Sequence, residues 1–126
     1  MPGHWVTPFV LANAITLTIA AQALAQDVAA GERVFRASCG ICHSPQPGRN
    51  LVGPSLFKVV GRQSGQIPDF HYSDANKNSG LTWNVTTLDR YLVAPRELVP
   101  GTKMTFPGLK DAKQRADLIA YLATLR

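Results

Sequence analysis

Apolar residues recur three and four positions apart near the end of the chain, at Leu118, Ile119, Leu122 and Leu125, the spacing of one buried helix face. Asp111 followed by Gln114 precedes them in the pattern of a capping box, so a helix is predicted to begin there. Asp27 to Ser38 reads as another helix, with Asp27 as N-cap and Val34 and Phe35 as apolar anchors. Gly31 lies inside it; a glycine there costs about 1 kcal/mol against alanine and is commonly a sign of close approach by a second helix. Ser73 to Ser79 predicts a short helix capped by Ser73 and stopped at Gly80, and Val85 to Ala94 a further one, capped by Asn84 and ended by Pro95. From Ser44 to Asp69 proline and glycine interrupt every period, which predicts loop. No segment alternates as a strand. The pattern is that of an all-α chain with long loops.

The N-terminal stretch stands apart. Val10 to Leu24 is apolar apart from Asn13, Gln22 and some threonines, and ends in Ala23-Leu24-Ala25, a small-x-small cleavage pattern before Gln26. It is too short and too polar for a good transmembrane span. Residues 1–25 are therefore expected to be a cleaved secretory signal, and residues 26–126 a single domain exported to a periplasm with no stable membrane insertion. Met1 to Phe9 carries no Lys or Arg, only His4, so a retained membrane anchor stays open as the alternative. All 13 Lys and Arg and all 8 Asp and Glu follow residue 25, giving the expected mature polypeptide a charge of +5. That charge suits an acidic partner surface, although a merely soluble basic monomer would show it too. No aromatic-basic motif points to nucleic acid.

A domain of about 100 residues has a marginal core unaided, which gives weight to Cys39-Gly40-Ile41-Cys42-His43. Two thiols with this spacing can form thioethers with the two vinyl groups of one porphyrin, and the adjacent imidazole is aimed at the iron. These are the only two cysteines in the sequence. Half a zinc site is one alternative, but a closed site needs four ligands, and His4 and His71 are isolated. A thioredoxin-like dithiol is another, but it follows a strand, whereas the residues before Cys39 read as helix. A covalently bound haem c is the expected cofactor, and would also be the structural staple of so small a core. A carrier closes the sixth iron position, commonly with a methionine thioether. Met104 is the one methionine besides Met1 and lies in the turn-rich Pro100-Gly101-Thr102-Lys103-Met104. A lone methionine can equally fill a core gap.

These residues stand beside Gly53-Pro54-Ser55-Leu56, Tyr72-Ser73-Asp74-Ala75-Asn76-Lys77-Asn78, Gly80-Leu81-Thr82-Trp83 and Asp117-Leu118-Ile119-Ala120-Tyr121-Leu122. With those motifs the chain resembles class I cytochrome c, the branch of mitochondrial cytochrome c and its soluble bacterial relatives, from about Ala30 to Leu125. The resemblance implies a small cytochrome c fold of 3–5 helices with loops wrapped around one haem, and axial ligation by His43 and Met104. It implies that Pro54 accepts a hydrogen bond from His43, that Tyr72 and Trp83 donate to a haem propionate whose charge Arg62 offsets, and that Asn76, Tyr91 and Thr102 form a polar network beside Met104. Phe106 would cover the haem face, and Gly31 and Phe35 would pack across Leu118 and Tyr121.

Some positions depart from that family. The loop from His43 to Gly53 is one residue short, and Pro107 replaces a smaller residue. The ring of lysines is incomplete: Lys103 and Lys110 remain, Arg96 replaces a lysine, and Ser38, Glu97 and Asp111 stand at basic positions. The mitochondrial charge map is therefore not carried over to this chain. The implied function is one-electron shuttling, without enzymatic activity, between respiratory or photosynthetic complexes such as a ubiquinol–cytochrome c reductase and a terminal oxidase. A haem subunit of a periplasmic dehydrogenase, and a peroxidase or ligand-binding sensor, are the alternatives. Asn84-Val85-Thr86 matches a glycosylation acceptor and reads as coincidence in an exported bacterial protein.

Overall fold

Asp27 accepts a hydrogen bond from the Ala30 amide at 2.9 Å and so opens the first helix, α1 (Val28–Ser38). The computed structural model describes residues 1–4 and 26–126, and the apolar run of the expected export signal lies outside the described residues. Four further helices follow: α2 (Asp74–Lys77), α3 (Val85–Val93), α4 (Pro95–Leu98) and α5 (Ala112–Ala123). Each predicted cap is made. Ser73 accepts from the Asn76 amide, Asn84 from Thr87, and Asp111 from Gln114. Asn84 is thereby committed to starting α3, as its place in a glycosylation-like triplet does not suggest.

One prediction is corrected. Pro95 ends α3, as expected, but it also begins α4, a turn absent from the sequence reading. The fixed φ of proline and its missing N–H suit the first helical position, where that N–H would have no partner. Among the described residues the only β pairing is an isolated bridge between Gln63 and Thr82.

The principal contact is α1 against α5. A Cβ on Gly31 would lie 1.9 Å from the Asp117 carbonyl oxygen and 2.9 Å from Tyr121 Cβ, so no side chain fits at the crossing. Phe35 and Tyr121 meet with ring centroids 5.4 Å apart. Asp117 Oδ1 accepts from the Asp27 amide at 2.8 Å and from Lys113 at 2.6 Å, which ties the start of α1 to the middle of α5. Leu118, Ile119 and Leu122 are buried, and Phe35, Leu88, Tyr91, Leu92 and Val99 complete that side of the core. The long loop closes around this core through backbone bonds: Leu56 to Ser44, Gly61 to Trp83, Ser64 to Leu81, and Lys58 to Leu125 near the C-terminus.

Candidate functional site

The Cys39–His43 segment leaves the end of α1 without extending the helix. Cys39 and Gly40 both donate backbone N–H bonds to the Phe35 carbonyl, and Cys42 and His43 donate to that of Cys39. This tight turn puts both thiols and the imidazole on one short stretch, with the cysteines free and partly buried. Burial pushes the Cys39 thiol up to about 11, and the neighbouring Cys42 adds to the rise. A redox-active dithiol needs the opposite, a thiol held low. With a helix rather than a strand before Cys39, the thioredoxin-like alternative falls. Among the described residues no three of His, Cys, Asp and Glu gather as metal ligands.

His43 is held in one orientation. Its Nδ1–H donates to the Pro54 carbonyl at 2.7 Å, and Gly53 lies directly against the ring. A Cβ at Gly53 would be 2.2 Å from His43 Cε1. The Gly53 amide in turn donates to the Cys42 carbonyl. With Nδ1 committed, Nε2 is the nitrogen left to ligate. Burial lowers the pKa of His43, which keeps the imidazole neutral and able to donate its lone pair.

Met104 is half-buried against the core. The Tyr91 hydroxyl donates to its Sδ at 3.8 Å, and its amide donates to Thr102 Oγ1 at 3.2 Å. Burial raises the Tyr91 pKa, while a hydrogen bond with Thr102 works against the rise. Tyr91, Thr102 and Met104 are thus brought together. Asn76 is not joined to them by a direct hydrogen bond: its Oδ1 accepts from Ser64 Oγ at 2.6 Å, and its amide is capped by Ser73. The sequence reading missed Ser64, a buried serine with no motif to mark it.

Arg62 is half-buried and donates to the carbonyls of Ser55, at 2.9 Å, and Phe57. Its pKa is lowered by burial, with the nearby Tyr72 acting in the other direction. Trp83 is buried and its amide donates to the Arg62 carbonyl, so Arg62, Tyr72 and Trp83 occupy one neighbourhood. Phe106 packs partly buried against the core. Lys110 is less available than its place in a basic ring implied, because its ammonium donates to the Val93 carbonyl at the end of α3.

A helical fold with an attachment turn after its first helix and a pinned imidazole defines a haem-binding protein of the c type. The Cytochrome c family matches residues 28–126. The chain is 49% identical to cytochrome c2 of Rhodopila globiformis over 79% of this chain and 94% of that protein. It is 50% identical to cytochrome c2 of Blastochloris viridis, over 90% and 86% of the respective chains. Among solved structures, cytochrome cH from Methylobacterium extorquens superposes with a TM-score of 0.73 at 48% identity, covering 78% of this chain and 98% of that one. The chain belongs to the cytochrome c family, which makes it an electron carrier with covalent haem c rather than an enzyme.

The residues present fit that cofactor. The thiols are free, the imidazole rests on a glycine with no room for a Cβ, and a soft thioether is held by a phenol. Among the described residues the half-buried guanidinium of Arg62 meets only neutral carbonyl oxygens, an arrangement that favours an anion such as a carboxylate nearby.

Proposed function

We propose that Cys39 and Cys42 hold the haem as thioethers, that His43 and Met104 are its axial ligands, and that the chain shuttles single electrons between larger redox complexes. The observation that carries this reading is the fixed imidazole, with Nδ1 bonded to Pro54 O at 2.7 Å over Gly53. Haem c supplies a one-electron couple, and thioether ligation together with burial favours the reduced state. The protein's part is to hold both ligands still. Pro54 fixes the ring of His43 and raises its basicity. The Tyr91 hydroxyl fixes the sulfur of Met104 and withdraws electron density from it. Arg62, Tyr72 and Trp83 would receive the propionate charge, Asn76 and Thr102 would support the polar side, and Phe106 would shield the haem beside Met104.

We further propose that residues 1–25 are removed on export, and that residues 26–126 work in a periplasm as a monomer docking on acidic surfaces of respiratory or photosynthetic complexes. The net charge of +5 supports that partner class. Among the described residues no helix is long and apolar enough to cross a membrane.

Carbon monoxide tests the carrier reading against a sensor or peroxidase. The reduced holoprotein is expected to form no rapid adduct, because both axial positions are closed. A fast adduct at neutral pH would establish an open iron and overturn the reading.

A further inference from the structure

The stretch that carries Met104 has its backbone hydrogen bonds at its ends and not in between, where the Met104 and Phe106 side chains pack against the core. At its start the Thr102 amide donates to the Val99 carbonyl, and the Met104 amide is caught by Thr102 Oγ1. Among the described residues, 105 to 108 donate no backbone hydrogen bond. At Gly108 the chain is pressed onto the last turn of α3, where a Cβ would lie 2.1 Å from the Val93 carbonyl oxygen. The Leu109 amide donates to the Leu92 carbonyl at 2.7 Å, and the Lys110 ammonium to that of Val93.

Arg115 closes this anchor from α5. Its side chain is 10% exposed. Nη1 donates to the carbonyls of Leu109 at 3.0 Å and Lys110 at 2.9 Å, and Nε donates to Asp89 Oδ1 on α3 at 2.8 Å. The planar fork thus joins α3, α5 and the end of the Met104 segment. A lysine cannot reproduce it, having one compact ammonium on a flexible stem.

We infer that Arg115, oriented by Asp89, is a positioning residue for Met104: it fixes the far end of the ligand loop and thereby opposes displacement of the thioether from the iron. This rests on the assignment of Met104 as axial ligand made above. Segments held by few bonds open locally at a fraction of the global free energy, so an anchor at one end sets how readily such a segment leaves. A neutral nitrogen ligand that replaces the sulfur can bind only when the segment has moved away. Its apparent affinity therefore reports the open population.

The test is imidazole binding to the full ferric holoprotein, followed by loss of the weak red absorption of the iron–thioether bond. Arg115→Lys is expected to raise the apparent imidazole affinity about ten-fold, as the loss of two loop hydrogen bonds requires. Asp89→Asn, at a half-exposed position, is expected to raise it about three-fold. Asp117→Asn weakens the α1–α5 contact and is expected to lower the denaturant midpoint while leaving imidazole affinity within about two-fold of the parent. An Arg115→Lys affinity within that same two-fold range overturns the inference, as does an equal rise in Asp117→Asn, which would make opening a global property. If Arg115→Lys does not accumulate, Asp89→Asn decides alone: unchanged affinity refutes the role. Met104→Ala separates the two levels of the reading. Retained red absorption in that variant removes the ligand assignment itself, whereas its loss together with an unchanged Arg115→Lys removes only the clamp.

Discussion

The α1–α5 crossing and the Met104 segment are built in opposite ways. The crossing is backbone against backbone at Gly31, with buried Phe35, Leu118 and Leu122 around it and a carboxylate bridging two helices. The Met104 segment exposes Lys103, Thr105 and Pro107, holds its sulfur by one phenol and relies on its ends. A carrier needs both. The crossing keeps the chain folded around the Cys39–His43 turn, and the segment, on the proposal that Met104 ligates the iron, would present a soft ligand whose tuning can vary without loss of the fold. Changes in the first region are therefore expected to move global stability, and changes in the second to move potential and iron accessibility.

The largest effect is expected from Gly31→Val. A side chain at a point 1.9 Å from the Asp117 oxygen must force the helices apart, and a loss of roughly 3 kcal/mol or more follows. Denaturant unfolding is expected to show it, with the red absorption disappearing only as the chain unfolds. A variant that lost the absorption well before unfolding would break the division between the two regions.

Asp117→Asn tests the same crossing more gently. The Asp27 amide, then Lys113, hold the Asp117 carboxyl below its usual range, and burial only partly opposes them. A depressed carboxyl pKa stabilises the fold above the unfolded value near 3.8 and loses that contribution as pH falls through the lower folded value. The asparagine variant is expected to be about 1 kcal/mol less stable at neutral pH, since Lys113 is half-exposed and only the charge is lost. The two proteins should converge in acid. A difference that persists unchanged at low pH would contradict the charge-based account.

Tyr91→Phe probes the segment. Without the phenol the sulfur becomes the better donor, which favours ferric iron and lowers the potential by about 20–60 mV. The buried phenol also favours its neutral form, so it contributes stability below the unfolded value of 10.0 that is lost as pH rises through the higher folded one. The phenylalanine variant is expected to lack that alkaline loss. An unchanged potential would show that the hydroxyl does not act on Met104.

The same two regions differ in how far they could be read from sequence. Residues Leu118, Ile119 and Leu122 declare a helix face by spacing, and Asp27, Ser73, Asn84 and Asp111 declare caps by chemistry, because both signals are local. The attachment turn and its Pro54 bond were legible through short, specific motifs. Arg115 was not, since its three partners lie at positions 89, 109 and 110 and nothing in the spacing joins them. Asp117 carries no local sign of its role, its partner Asp27 lying 90 residues away in sequence. Lys58 takes a left-handed φ of 57°, which a lysine gives no reason to expect, so that its amide can reach the Leu125 carbonyl. The place of α4 was hidden because Pro95 is read first as a stop.

The central claim is that iron is closed by His43 and Met104, and Met104→Ala tests it most directly. The expected holoprotein keeps its covalent haem and its helical circular dichroism, since the thiols, His43 and the α1–α5 crossing are untouched. It is expected to lose the weak red absorption in the ferric state, to bind carbon monoxide rapidly when reduced, and to show a lower potential, because a hard water ligand favours ferric iron. If the variant instead retains the red absorption and the parent potential, another group closes the iron and the account of the Met104 segment is wrong.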